Sequence, residues 1–151
     1  MPEGIITAAK KLIASIIDNG RYLAELMDLM DELAEENAEL RSGIEPIIPA
    51  VTEISQKCCD AVNILSETIE SIGEEAGRLT DPENRCLRAA MNAVRAERNA
   101  EELIDKIRTA DFFARSEERE AFELICERKE MQLLYVNQLL VIFASLSEAE
   151  M

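Results

Sequence analysis

Carboxylates at helical spacing are the residues of this chain best placed to do chemistry. Glu32 and Glu35 stand three positions apart, as do Glu36 and Glu39, and Glu102 and Asp105. On a helix that spacing puts both carboxylates on one face, and two such pairs on facing helices can hold Mg²⁺ through oxygen ligands. The chain has no histidine. That removes Ser-His-Asp and Cys-His nucleophiles and the Glu-x-x-His di-iron centres of helical bundles. Four cysteines, Cys58, Cys59, Cys86 and Cys126, form no CxxC pair, whereas a zinc site draws ligands from pairs a few residues apart. The expectation is a protein without cofactor or metal and without catalytic activity.

The segments ELAEENAEL (Glu32–Leu40) and EELID (Glu101–Asp105) together resemble the ExxE…ExxD pattern of the all-α nucleoside-triphosphate pyrophosphohydrolases of the MazG type. The resemblance implies a helical fold and Mg²⁺-dependent hydrolysis, with Glu32, Glu35, Glu36, Glu39, Glu102 and Asp105 as the metal-binding set. In that family the second pair follows the first after a short helical connection. Here 62 residues separate Glu39 from Glu102.

The elements that would position any such groups are long helices. Steps of four and three residues pass through Ile5, Ala9, Leu12, Ile16, Asn19, Leu23, Leu26, Met30, Leu33, Asn37 and Leu40. A second register runs through Ile44, Ile48, Val51, Ser55, Cys58, Val62, Leu65, Ile69, Ile72, Ala76 and Leu79. A 4-3 spacing keeps one stripe of a helix against a partner helix. Arg41-Ser42-Gly43 reads as the end of the first helix, since Gly after a helix accepts left-handed geometry. Pro46 and Pro49 suit the first turn of the next. Thr80-Asp81-Pro82-Glu83 reads as a helix start, and Thr109-Ala110-Asp111 followed by Ser116-Glu117-Glu118 as a softer break with a new N-terminus. The predicted helices span about residues 4–41, 45–79, 82–108 and 116–147; a single bent helix over 82–147 is the alternative. Asn19-Gly20 lies within the first register and is read as a weakened turn rather than a break. The fold class is all-α, one domain over residues 1–151, an elongated antiparallel bundle of about four long helices.

Composition narrows the partners. At 48 % apolar and 151 residues the chain can bury a core, roughly two-thirds of its unfolded surface. Its net charge of −15 disfavours phosphate backbones and anionic membranes, which bind through Lys and Arg. The apolar window Met131–Leu146 is too short to span a bilayer. Met1-Pro2-Glu3-Gly4 has no basic character and the cysteines suit a reducing compartment, so a cytoplasmic protein is expected. Residues 81–115 are neutral while the rest is acidic. There Ala89, Ala93, Ala96 and Ala100 form a small-residue stripe, and Arg85, Arg88, Asn92, Arg95 and Asn99 form another. The arginines are expected to pair with acidic faces of neighbouring helices; a binding strip for an acidic partner is the other reading.

The leading expectation of function is a non-catalytic protein–protein interaction module that self-associates as a homodimer. The C-terminal helix is apolar all round, with Leu133, Leu134, Val136, Leu140 and Phe143 among its large side chains, and such a helix must be buried all round. A second reading is an acidic inhibitor of a basic nucleic-acid-binding enzyme. Its phosphate-like charge row would be Asp28, Asp31, Glu32, Glu35, Glu36 and Glu39. Asp28, Asp31 and Glu35 with Arg88 and Arg95 complete the expected interaction residues.

Overall fold

The computed structural model describes residues 2–71 and 80–150. They form five helices: α1 (Pro2–Leu33), α2 (Ala38–Ile44), α3 (Ile47–Ser71), α4 (Thr80–Ala110) and α5 (Ser116–Glu150), with a 3₁₀ turn at Ala34–Glu36. No strand occurs among the described residues. The four long helices pack as an up-down-up-down bundle in chain order, and α5 closes on α1. Contacts between α1 and α5 run from Leu33 with Arg115 to Asn19 with Arg128 and Gln132, so the two are antiparallel. Arg108 with Glu123 and Glu97 with Lys129 show the same for α4 and α5. Across the middle α3 meets α5, the Cys58 thiol lying 3.9 Å from the Gln132 carbonyl.

The first apolar register builds the core as expected: Ala9, Leu12, Ile16, Leu23, Leu26 and Met30 are buried. Asn19 is buried with them, its amide donating to Arg128 O at 2.9 Å and to Gln132 Oε1 at 3.1 Å. A buried amide costs little once bonded, and these bonds fix α1 against α5 in one register. The helix runs through Gly20, where a Cβ would lie 3.2 Å from Gln132 Nε2. The glycine makes room for that side chain.

Helix breaks differ from expectation at one point. The first helix ends not near residue 41 but at Leu33, where the 3₁₀ turn begins, and α2 restarts at Ala38. Asn37 causes the restart: its Oδ1 accepts the Leu40 N–H at 3.2 Å, the bond of a helix N-cap. Gly43 stays inside α2 because Ile107 of α4 packs on it, 3.1 Å from where a Cβ would stand. The short α2 thereby covers one end of the bundle. In α3 the buried stripe is Ile47, Val51, Ile54, Cys58, Ala61 and Leu65. The expected Ile48, Ser55 and Ile69 lie half-buried at its edge. Ile72, Ala76 and Leu79 of the second register fall outside the described residues.

The break between α4 and α5 is real. Asp111 takes the left-handed conformation (φ 51°), with its N–H on Ile107 O, and ends α4 as Gly or Asn commonly would. The start of α5 is capped from inside the helix: Glu118 reaches back to the N–H groups of Ala114 and Arg115.

Candidate functional site

Helix α4 carries two apolar stripes, and they face opposite to what side-chain size suggests. Cys86, Ala89, Ala93, Ala96 and Ala100 are buried, and α3 and α4 share the most extensive contact of any helix pair. The larger Leu87, Met91 and Val94 stay out, at 43, 55 and 37 % exposure. Positions i, i+4 and i+7 lie on one face, so these three form a continuous strip along the outer side.

Opposite that strip runs α5. Three helices cover most of its apolar surface, burying Leu133, Val136, Leu139, Phe143 and Leu146. What remains exposed is Leu134 at 61 % and Val141 at 65 %, seven residues apart, about two turns on the same face. Leu140 lies half-buried between the helices. The two walls enclose an open groove of about 350 Å³ lined by Leu87, Met91, Val94, Arg95, Asn137 and Leu140.

Charge divides sharply along this groove. Residues 84–100 hold Arg85, Arg88, Arg95 and Arg98 against a single acid, Glu97. Glu97 is already engaged, 3.2 Å from Lys129 Nζ of α5. The other wall, residues 131–147, has no charged residue. Among the described residues, no carboxylate lies within 4.0 Å of Arg85, Arg88, Arg95 or Arg98, although ion pairs hold Arg108, Arg115 and Arg119. Among the described residues the expected pairing of the arginine stripe with acidic neighbours does not occur: neither α3 nor the uncharged stretch 131–147 of α5 brings a carboxylate within that distance.

Lys129 closes the groove at its lower end. The side chain is fully buried, with Nζ on both Glu97 and Glu101. Burial pushes the ammonium pKa down, but the two carboxylates outweigh it and hold the group above its ordinary 10.5. The two ion pairs staple α4 to α5.

The remaining expected residues lie elsewhere. Asp28, Asp31 and Glu32 are exposed on α1, Glu35 and Glu36 on the 3₁₀ turn and Glu39 on α2. The break at Asn37 interrupts the row, so it is not a set of charges on one rigid helix. Glu102 and Asp105 are exposed on α4. Among the described residues, no three Asp, Glu or Cys side chains converge as a metal site would require. A larger open cleft of about 700 Å³ lies at the α2 end, between Gly43, Pro46, Leu103, Ile107 and Phe112. Its Lys106 and Asp105 offset one another and give it no electrostatic preference.

Of the expected interaction residues, Leu140 and Arg95 line the groove, Leu134 and Arg88 are exposed outside its lining, and Leu133, Val136 and Phe143 build the core. Leu87, Met91 and Val94 were not among them. Their signal was present: a second 4-3 apolar stripe, larger than the alanine stripe and adjoining the arginines. No family model, curated protein or solved structure matches the chain. No helix among the described residues is long and apolar enough to cross a membrane.

Proposed function

We propose that this protein is a non-catalytic interaction module that works by binding protein through the α4/α5 groove. The carrying observation is the exposure of Leu87, Met91 and Val94 along one concave seam, with Leu134 and Val141 exposed one turn either side of its Asn137. Contiguous exposed apolar side chains with a polar rim mark interaction sites, and a groove between two helices is the shape that receives a third. The four free thiols, three of them buried, suit a cytoplasmic setting.

Site-specific photo-crosslinking tests this in cells. A benzophenone side chain at Met91 or Leu134 is expected to give a discrete protein adduct, while the same group at Glu35 gives none. Met91→Asp is expected to abolish the Leu134 adduct. Equal labelling from all three positions would sink the reading. The adduct mass separates the homodimer, which the exposed Leu134 and Val141 also permit, from a different protein.

A further inference from the structure

We infer that the occupant of the α4/α5 groove is an acidic amphipathic helix of another protein, its apolar face on Met91 and Val94 and its carboxylates on Arg88, Arg95 and Arg98. This rests on the groove being an interface and names what fits it. The chain carries about two acids for each base, yet the concave apolar seam between α4 and α5 has Arg95 and Arg98 in its lining and no acid there, with Arg88 exposed one repeat before Arg95. The chain as a whole, at a net charge of −15, repels an acidic helix, while the arginines of this groove attract it. Opposed fields of this kind set orientation and partner choice more than raw affinity.

The spacing fits a helix. Arg88 and Arg95 are seven residues apart, as are Leu134 and Val141, so each wall repeats over about two turns, ~10.5 Å. A helix lying along the seam repeats its own side chains at the same interval, with apolar anchors at i, i+3, i+4 and i+7. Acids at i and i+7 beside those anchors meet both arginines. Arg holds a carboxylate through two parallel N–H donors, which gives that pairing direction as well as charge.

A second copy fits less well. A twofold contact sets a patch against itself, which would bring both arginine rows together with no acid between them. The chain's own exposed acid-and-apolar face, Leu29 with Asp28, Asp31 and Glu32, lies on α1. Docking it in the groove of the next copy is a head-to-tail contact, which extends without closing. A phosphate backbone would satisfy the arginines but leave Met91 and Val94 uncovered.

The test uses the full-length protein and labelled synthetic peptides of about five helical turns, ~18 residues. One carries a Leu stripe flanked by Glu, a second Lys in place of Glu, and a third Ala in place of Leu. Fluorescence anisotropy is expected to show the first binding about tenfold or more tighter than the others, with affinity falling as salt rises. Arg88→Glu with Arg95→Glu is expected to reverse the preference toward the Lys peptide, and Met91→Asp to weaken both. All three side chains are exposed, so an unchanged melting temperature checks the fold. Equal binding of the Glu and Lys peptides, indifference to the arginine exchange, or equal binding of the Ala peptide each overturns the inference. If the peptides fail while Met91 and Leu134 still crosslink to a partner, the groove stands as an interface and only its acidic occupant falls. A crosslinked second copy competing with the Glu peptide overturns it likewise.

Discussion

Asn37 and Glu118 meet across 81 residues of sequence, the Asn37 amide nitrogen 3.2 Å from a Glu118 carboxylate oxygen. The same amide donates to Phe112 O at 2.8 Å, so one asparagine caps α2 and ties it to the α4–α5 turn. Burial pushes the Glu118 carboxyl pKa up, but the Arg115 and Ala114 N–H groups, Asn37 and the Arg115 guanidinium together hold it below its ordinary 4.5. A carboxyl depressed in the folded state takes up its proton more readily when unfolded. Its stabilisation is therefore complete above about pH 4.5 and is lost as pH falls through the folded value. Glu118→Gln is expected to cost about 2 kcal/mol at pH 7. In urea melts from pH 7 to pH 3 the gap between variant and parent should narrow. A constant gap would mean that the charge on Glu118 is not what stabilises this end.

Lys129 gives a test of opposite sign. Replacing it by Met keeps the buried volume and leaves Glu97 and Glu101, whose side chains are 25 and 40 % exposed, to water. Replacing both glutamates by Gln leaves a buried ammonium without a counter-charge. Breaking a buried pair from the side that strands the charge costs about 3 kcal/mol or more. The double glutamine variant should therefore melt well below Lys129→Met. Its pKa is raised on folding, so the contribution of Lys129 is present below pH 10.5 and disappears as pH rises through the folded value. Equal melting temperatures for the two variants would contradict this.

Two glycines inside helices should respond differently to alanine. At Gly43 the new Cβ would meet the Ile107 side chain at 3.1 and 3.2 Å, and Ile107 is itself buried. Overpacking of that kind costs about 1–3 kcal/mol, so Gly43→Ala should lower stability despite better helix propensity. At Gly20 the neighbour is the end of the flexible Gln132 side chain, 3.2 Å away. There a propensity gain of about 1 kcal/mol offsets the shift of one amide, and Gly20→Ala should change stability little. Chemical denaturation of both variants measures the contrast.

Thiol reactivity separates the four cysteines. Burial pushes Cys58 up to about 12, with a smaller push from Cys59, and raises Cys86 and Cys126 to about 11. Cys59 is exposed, and burial raises its pKa too, with Asp60 adding to the shift. Alkylation of the folded protein near pH 8 should label one site quickly, and mass spectrometry should place it at Cys59. Rapid labelling of Cys58 would show that α3 is turned differently against α5.

Periodicity made the bundle legible. The 4-3 stripe of α1 from Ala9 to Met30 is the buried stripe, and Cys58, a member of the second stripe, is buried while its neighbour Cys59 is exposed. The sequence was less informative where a side chain served a neighbour rather than its own helix. Gly43 looked like a helix end, but it is a contact with Ile107. Asn37 looked like a member of the apolar stripe, yet it is an N-cap. In α5 an apolar composition on every side hid which side chains three neighbours would cover. The groove was half visible: its arginines stood out, but whether acids lay within reach depended on packing between distant helices. Leu87, Met91 and Val94 drew no notice, because large apolar side chains are usually core. On α4 the alanines took that place.

The pairing of α1 with α5 has a consequence for the chain as it is made. Asn19 finds Gln132 only 113 residues later, and α1 packs on α5 more extensively than on α3. During synthesis at about 5–20 residues per second, the α1 stripe therefore waits several seconds for its main neighbour. Contacts between α3 and α4 need far less of the chain and can form while α5 is still being added. Over that interval Leu23, Leu26 and Met30 face water or whatever binds nascent apolar helices. A chain stalled before Met131 would leave the ribosome without much of the α5 surface that covers its first helix, and with that apolar stripe open to aggregation.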